Sequence, residues 1–394
     1  MANELPQEII ESKILTRLPV KSLIRFTSVS KRWRSVILYN PKFAKSQFEL
    51  ASKQKSITHR ILVSNSKGSP ELKCLDMESP WFGQSSCSSC RKVCVPFEQQ
   101  PPRECYLLGS CNGLVFVASE DSRFYIWNPS TKFFKKLPHL GYSSDEKAVL
   151  DYYGAGYMSA TDNYKVLVGY FLKKQNEEGH TEMVHIFSLE DHIWRIIDVD
   201  YFGDIFPCHQ GMLSNEALHW LHDYGDSRID LVAFDLDKEE FSILQLPDLD
   251  TDGTSWYRCL LGVVGGCLCV SSYMDEAIAS ESVDFWVMRE YGVCDSWTKL
   301  FNLDFSNLPV QRLLRGSPCT WFATETGTVG VKRTGNGVWF MKIDHKDKEK
   351  LGLYMIEGNQ LYMVEYEESL VWIEEKENAK ETQTSSPSRK KLKS

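Results

Sequence analysis

Glu4-Leu-Pro-Gln-Glu-Ile-Ile10, Ile14-Leu-Thr-Arg-Leu-Pro-Val-Lys-Ser-Leu-Ile-Arg-Phe26 and Ser28-Val-Ser-Lys-Arg-Trp-Arg-Ser-Val-Ile37 stand within the first fifty residues, and nothing later in the chain looks like them. Their spacing predicts helices. Pro6 suits a first helical position, where its missing N–H would have no partner anyway. Ile10, Ile14 and Leu18 recur at i, i+4 and i+8 with Leu15 beside them, which makes one face apolar. Pro19 stops that helix, because the residue before a proline avoids helical dihedrals. A second short helix is expected over 21–28. Ser30 caps a third, with Trp33, Val36 and Ile37 on one face, and Phe43, Ala44 and Phe48 suggest a fourth.

A unit of about fifty residues buries too little apolar surface to be comfortable alone. Yet it displays Leu5, Pro6, Ile9, Ile10, Leu15, Leu18, Leu23, Phe26, Val29 and Trp33, too many to fit inside three short helices. Some must face the rest of this chain or a second protein, and the residues alone leave both open.

The stretch resembles an F-box. The likeness runs through Leu5-Pro6-x-Glu8, Ile14-Leu15-x-x-Leu18-Pro19-Val20-Lys21-Ser22-Leu23, Arg25-Phe26, Val29-Ser30-Lys31-x-Trp33 and Val36-Ile37. It implies a three-helix module over 1–50 that binds the Skp-type adaptor, and through it cullin, of a Skp–cullin–F-box (SCF) ubiquitin ligase. The residues implied for the adaptor groove are the ten apolar ones above, together with Pro19. They would be shared between that groove and the module's own packing.

The 394 residues exceed one domain's usual share, and 42% hydrophobic with 25% charged residues fits a soluble globular protein. No run of eighteen apolar residues suggests a membrane span, and residues 1–8 do not read as a secretory signal. Charge is uneven: residues 1–50 sum to +5 while the whole chain is −8, leaving −13 on the remainder. A basic head suits an acidic partner protein, whereas an acidic body argues against nucleic acid. The twelve cysteines read as reduced thiols of the cytoplasm or nucleus. Cys87, Cys90 and Cys94 cluster, with Cys105 and Cys111 further on, but no second pair follows at zinc-like spacing, so neither metal nor cofactor is expected.

Beyond His59 the period changes to two. Residues 51–106 read as connecting strands followed by a Ser/Pro/Cys-rich loop over 78–102. A hairpin grammar then repeats. Strands holding Trp127, Phe187, Phe234, Trp286 and Trp339 each end in a polar turn, and the next strand closes the hairpin. The spacings are 60, 47, 52 and 53 residues, near the fifty-residue period of a four-stranded propeller blade. A β-sandwich would lack that period. These segments resemble the F-box-associated domain of plant F-box proteins in Ser110-Cys-Asn-Gly-Leu-Val115, Trp127-Asn-Pro-Ser-Thr131, Leu218-His-Trp220, Ala233-Phe-Asp-Leu236, Gly265-Gly-Cys-Leu268 and Trp286-Val-Met-Arg-Glu-Tyr-Gly292. The architecture also resembles pollen S-locus F-box proteins and F-box proteins that restrain immunity. The fold expected is therefore multidomain, α then all-β: a three-helix F-box, then a kelch-like β-propeller over 107–375. A disordered tail over 376–394 follows, in which Ser388-Arg-Lys-Lys-Leu-Lys393 could act as an import signal.

No nucleophile elbow, Walker loop or His-Glu-x-x-His helix occurs, so catalysis by this chain is not expected. His219 reads as a core histidine, and Trp127, Trp194, Trp220, Trp286 and Trp297 as packing between blades. Propellers bind through loops at one end of the channel. Candidates are the loops over 151–161, 201–210, 222–228, 250–258 and 274–282, whose aromatics Tyr152, Tyr153, Tyr157, Tyr201, Tyr224, Trp256 and Tyr257 would touch a target protein. The expected role is target recognition for an SCF ligase, leading to ubiquitination and proteasomal degradation. The alternative is a ligase-independent scaffold or carbohydrate-binding propeller.

Overall fold

The computed structural model describes residues 6–65, 72–76, 90–93, 105–142, 146–174, 181–198, 209–224, 228–249, 257–274, 282–304, 319–323, 328–333, 338–344, 351–356 and 361–374. The tail over 376–394, Leu5, Cys87, Cys94, Tyr201 and Trp256 lie outside them.

Pro6 is the N-cap of helix α1 (Gln7–Ile9), one position earlier than its sequence suggested. The helix continues as a π turn over Ile10–Ile14 and a 3-10 turn over Leu15–Arg17. It ends where Leu18, ahead of Pro19, becomes extended at φ −85°, ψ 146°. Helix α2 is Val20–Phe26. In α3 (Lys31–Tyr39) the Ser30 hydroxyl accepts from the Trp33 N–H at 3.1 Å. The expected three-helix count needs correcting. Helix α4 (Pro41–Lys53) has thirteen residues and runs past the expected boundary at 50. Asn40 caps it, accepting from the Phe43 N–H at 3.1 Å, and Pro41 takes the first turn.

Among the described residues twenty-four strands follow, in six antiparallel sheets of four. The chain first lays down β1 (His59–Asn65), β2 (Leu72–Leu75) and β3 (Cys90–Val93). The next sheet holds β4 (Cys105–Cys111), β5 (Leu114–Ser119), β6 (Phe124–Trp127) and β7 (Phe134–Lys136). The third holds β8 (Glu146–Met158), β9 (Asn163–Lys174), β10 (Thr181–Ser188) and β11 (Ile193–Ile197). The fourth comprises β12 (Met212–Ser214), β13 (Ala217–Asp223), β14 (Ile229–Asp235) and β15 (Glu240–Leu244). The fifth comprises β16 (Tyr257–Val264), β17 (Cys267–Met274), β18 (Ser282–Met288) and β19 (Trp297–Asp304). The sixth comprises β20 (Cys319–Ala323), β21 (Thr328–Arg333), β22 (Val338–Asp344) and β23 (Leu351–Ile356). Finally β24 (Leu361–Glu367) returns to pair with β1, from His59 opposite Glu367 to Asn65 opposite Leu361. The first blade is thus built from both ends of the body, so 51–106 is not a mere connector. Cys90–Val93, expected to be loop, is a strand paired with β2.

All five aromatic anchors fall on the third strand of a sheet: Trp127 on β6, Phe187 on β10, Phe234 on β14, Trp286 on β18 and Trp339 on β22. Among the described residues, consecutive blades from the first to the fifth pack on one another through shared apolar layers. Leu62, Cys74 and Tyr366 of the first blade meet Val115 and Trp127 of the second. Phe116 and Phe124 meet Val166 and Phe187. Leu167 and Ile186 meet Trp220 and Phe234, and Leu221 and Leu231 meet Val270 and Met288. The expected interblade tryptophans behave accordingly. Trp194 donates to the Pro138 carbonyl at 2.8 Å and Trp297 to that of Gln245 at 3.0 Å, each reaching across a blade boundary. His219 is fully buried, with Nδ1 donating to the Met212 carbonyl at 3.0 Å and Nε2 accepting from the Tyr291 hydroxyl at 2.9 Å. The turns fit tight hairpins: Asn112-Gly113 has φ of 53° and 77°, and Gly265-Gly266 has 59° and 77°.

Candidate protein-binding surfaces

The head divides its apolar residues between an inside and an outside. Leu15 and Leu23 are fully buried, together with Val20, Ile37, Phe43 and Ala44. They fill the head, so the sequence reading that offered Leu15 and Leu23 to a partner needs correcting. Outside stand Pro6 and Pro19, with Val29 61% exposed and Ile9 44%. Ile10, Leu18, Phe26 and Trp33 are half-buried. The Phe26 and Trp33 rings lie 5.6 Å apart across the α2–α3 corner. Arg32 of α3 reaches Glu11 at 2.6 Å, which draws the start of α3 against the first helix. Ile14, 41% exposed, and Tyr39, 64% exposed, add to this surface. Neither was singled out for a partner, although Ile14 already stood on the apolar face read at i, i+4, i+8. Lys13, Arg17, Lys21, Arg25, Lys31 and Arg34 are all exposed around it.

The body has two unlike ends. In a four-stranded meander, the connections between strands one and two and strands three and four emerge at one end. Here those turns are short: Asn112-Gly113 between β4 and β5, 159–162 between β8 and β9, 189–192 between β10 and β11, and Asn215-Glu216 between β12 and β13. The head sits at this end, where Lys45 of α4 meets Asp162 at 3.0 Å. A cleft of about 1300 Å3 opens between α4 and these turns, with Phe48, Glu49, Lys136, His192 and Trp372 on its walls. Burial and the nearby Lys135 charge lower the His192 pKa.

Long connections leave the opposite end, between β9 and β10, β11 and β12, β13 and β14, β15 and β16, and β17 and β18. Four of the five candidate target loops, 201–210, 222–228, 250–258 and 274–282, lie partly outside the described residues. The fifth does not: residues 151–158 are strand β8, where Tyr152 is 3% exposed and Tyr153 2%. Both are corrected to core residues. Tyr152 packs edge-on against Trp220 of the next blade at 5.8 Å. Tyr157 faces the head and donates to Asp162 at 2.6 Å, and burial together with that carboxylate raises its phenol pKa. Tyr257 opens β16. Tyr224 is the expected aromatic that does stand exposed at the far end. Its hydroxyl donates to Asp230 at 2.9 Å, the Arg228 guanidinium lies 3.6 Å from its ring centre, and the His222 ring stacks 4.2 Å away.

Two of the described cysteines, Cys105 and Cys111, are poor metal ligands. Cys105 is fully buried, and burial pushes its thiol up to about 12. Burial raises Cys111 as well, so both stay protonated. Among the described residues no group of three or more His, Cys, Asp or Glu could hold a metal ion, and no helix is long and apolar enough to cross a membrane.

Comparison with known proteins agrees with this arrangement. The chain matches the F-box domain over residues 3–45 and the F-box associated beta propeller domain over residues 75–384. It is 29% identical over 326 residues to the Arabidopsis thaliana F-box protein CPR1, covering 76% of this chain and 73% of that one. It is also 29% identical over 314 residues to the F-box/kelch-repeat protein At3g23880 of the same plant, covering 76% and 80%. The kelch label stays with that relative. The propeller match here is to the F-box-associated domain, and the glycine pair at 265–266 is a hairpin turn rather than evidence of a kelch repeat. With an F-box ahead of a propeller matched over most of its length, this chain belongs to the F-box proteins that carry an F-box-associated β-propeller domain.

Proposed function

We propose that the chain is the substrate receptor of an SCF-type ubiquitin ligase. Its head binds a Skp-type adaptor, and through it cullin, by Pro6, Ile9, Ile10, Leu18, Pro19, Phe26, Val29 and Trp33, with Leu5 alongside. The observation that carries this reading is leftover apolar surface. The interior of the head is already filled, yet Ile9, Ile14 and Val29 remain in water beside a ring of cations. Such a patch fits a partner with an apolar groove and an acidic rim.

The target is held at the end of the body away from the head. The stretches 175–180, 199–208, 225–227, 250–256 and 275–281 contain ten Asp/Glu and no Lys/Arg. A target with a basic surface is the complement, and Tyr224 is the aromatic contact that the described residues offer. The receptor needs no catalytic group of its own. It raises the effective concentration of target lysines near a ubiquitin-charged enzyme, and degradation follows. We place this work in the cytoplasm or nucleus. Imaging a fluorescent fusion with and without residues 388–393 tests the import signal.

Pull-down of a purified Skp-type adaptor by the full chain tests the central claim. Retention by the wild type and loss in an Ile9→Asp/Val29→Asp variant of unchanged fold is expected. Equal retention by both, or none by the wild type, overturns it.

A further inference from the structure

Among the described residues, the interior of the head contains one that does not come from the head. Leu370, fully buried, packs with Leu15, Val20, Leu23, Ile37, Phe43 and Ala44. It lies more than three hundred residues later in the chain, just beyond β24.

The route by which it arrives is specific. His59 pairs with Glu367, so the chain leaves the body beside the point where it entered from α4. The Glu368 N–H donates to the Thr58 carbonyl at 2.8 Å, and its carboxylate takes Arg60 at 3.1 Å. Ser369 is fully buried and donates to the Asn112 carbonyl at 2.9 Å. The Asn128 amide, also fully buried, donates to the carbonyls of Ser369 at 3.1 Å and Val371 at 2.8 Å. Its own oxygen accepts from the Ser130 N–H at 2.8 Å. Gly113 completes the seat: a Cβ there would overlap Ser369 and the Glu367 carbonyl, and its φ of 77° already favours glycine. The two phrases Asn112-Gly113 and Trp127-Asn128-Pro129 thus serve a segment from the other end of the chain. Buried polar groups satisfied this fully hold one arrangement rather than several.

We infer that 368–373 is a coupling strap. Asn112, Gly113 and Asn128 hold its root on the body, Leu370 completes the interior of the head, and the two parts move as one lever. Resting on the receptor reading, this makes Leu370 and Asn128 positioning residues that set where a target stands relative to the adaptor.

Hydrogen exchange of the full-length chain, read separately over α2–α4 and over β9–β10, tests the strap without any ligase. Leu370→Ala should speed exchange in the head by roughly 30-fold or more, the factor expected for emptying a leucine site. The β9–β10 amides should stay within about threefold, and Leu370→Met should restore protection. Asn128→Asp attacks the other end: it keeps the oxygen that caps Ser130 and removes the donor that holds the strap. It should loosen the head in the same selective way, which keeps the test alive if Leu370→Ala unfolds outright. In a reconstituted ligase both variants should keep adaptor and target affinities within about threefold while ubiquitin transfer falls at least about tenfold. Unchanged exchange in the head, or an equal rise in head and body, overturns the strap. A wild-type chain that shows the exchange pattern but binds no adaptor overturns the receptor reading alone.

Discussion

The helical head fills its interior with Leu15, Leu23, Ile37 and a borrowed Leu370, yet leaves Val29, Ile14 and Ile9 in water. The third strands of the body do the reverse. Trp127, Phe187 and Phe234 are at most 1% exposed, each in an apolar layer shared with a neighbouring sheet. A propeller closes by repeating one contact, so every blade supplies its neighbour's missing layer. A fifty-residue helical unit cannot repeat itself, and it ends with more apolar surface than it can hide. The difference separates stability from association: the body is where mutation should cost fold, the outer face of the head where it should cost binding.

The largest expected effect tests the body. Phe234→Ala empties a fully buried site whose ring lies 4.7 Å from that of Phe241, and should cost about 3–5 kcal/mol in a urea unfolding series. A loss below about 1 kcal/mol would mean that the anchors do not carry the blades.

His219 comes next. Burial lowers its pKa to about 4 from an ordinary 6.5. The unfolded chain therefore binds a proton between those values that the folded chain refuses. Stability from this site is complete above pH 6.5 and drains away as pH falls toward 4, by up to about 3 kcal/mol. His219→Asn should flatten that part of the profile, and an unchanged slope would remove His219 as its source.

On the head, Ile9→Asp with Val29→Asp should weaken adaptor binding about 30-fold or more, since interface anchors are worth about 2 kcal/mol. The thermal midpoint of the chain should stay within about 2 °C, because both sites are exposed. Binding lost together with the fold would erase the division between inside and outside. Smallest is Ser30→Ala, which removes the cap at the Trp33 N–H and should cost about 1 kcal/mol of head stability by calorimetry.

What could be read in advance follows the same line. Third strands announced themselves because five of them carry an aromatic, and those five recur near a fifty-residue period. The first blade stayed hidden. Its third strand carries Cys74 rather than an aromatic, and its innermost partner is β24, so that Leu62 meets Val364 across the whole body. Tyr152-Tyr-Gly-Ala-Gly156, expected within a target-binding loop for its aromatics, lies inside strand β8. Here a Cβ at Gly154 would come within 2.8 Å of Leu218, so the glycine makes room for the next blade. Local spacing identified the residues of the head, but their division between interior and surface was not local. Leu370 arrives from the far end to decide it.

The seam between β1 and β24 carries a consequence for synthesis. The ribosome releases residues 7–53 long before residues 361–370, so both the closing strand and the leucine that completes the head arrive after the elements they join. A message cut short before Leu361 yields an unsealed ring and an unfinished head together. Such fragments should show faster amide exchange in the head and along β1 together, and a truncated product with the protection of the full chain in both would contradict this.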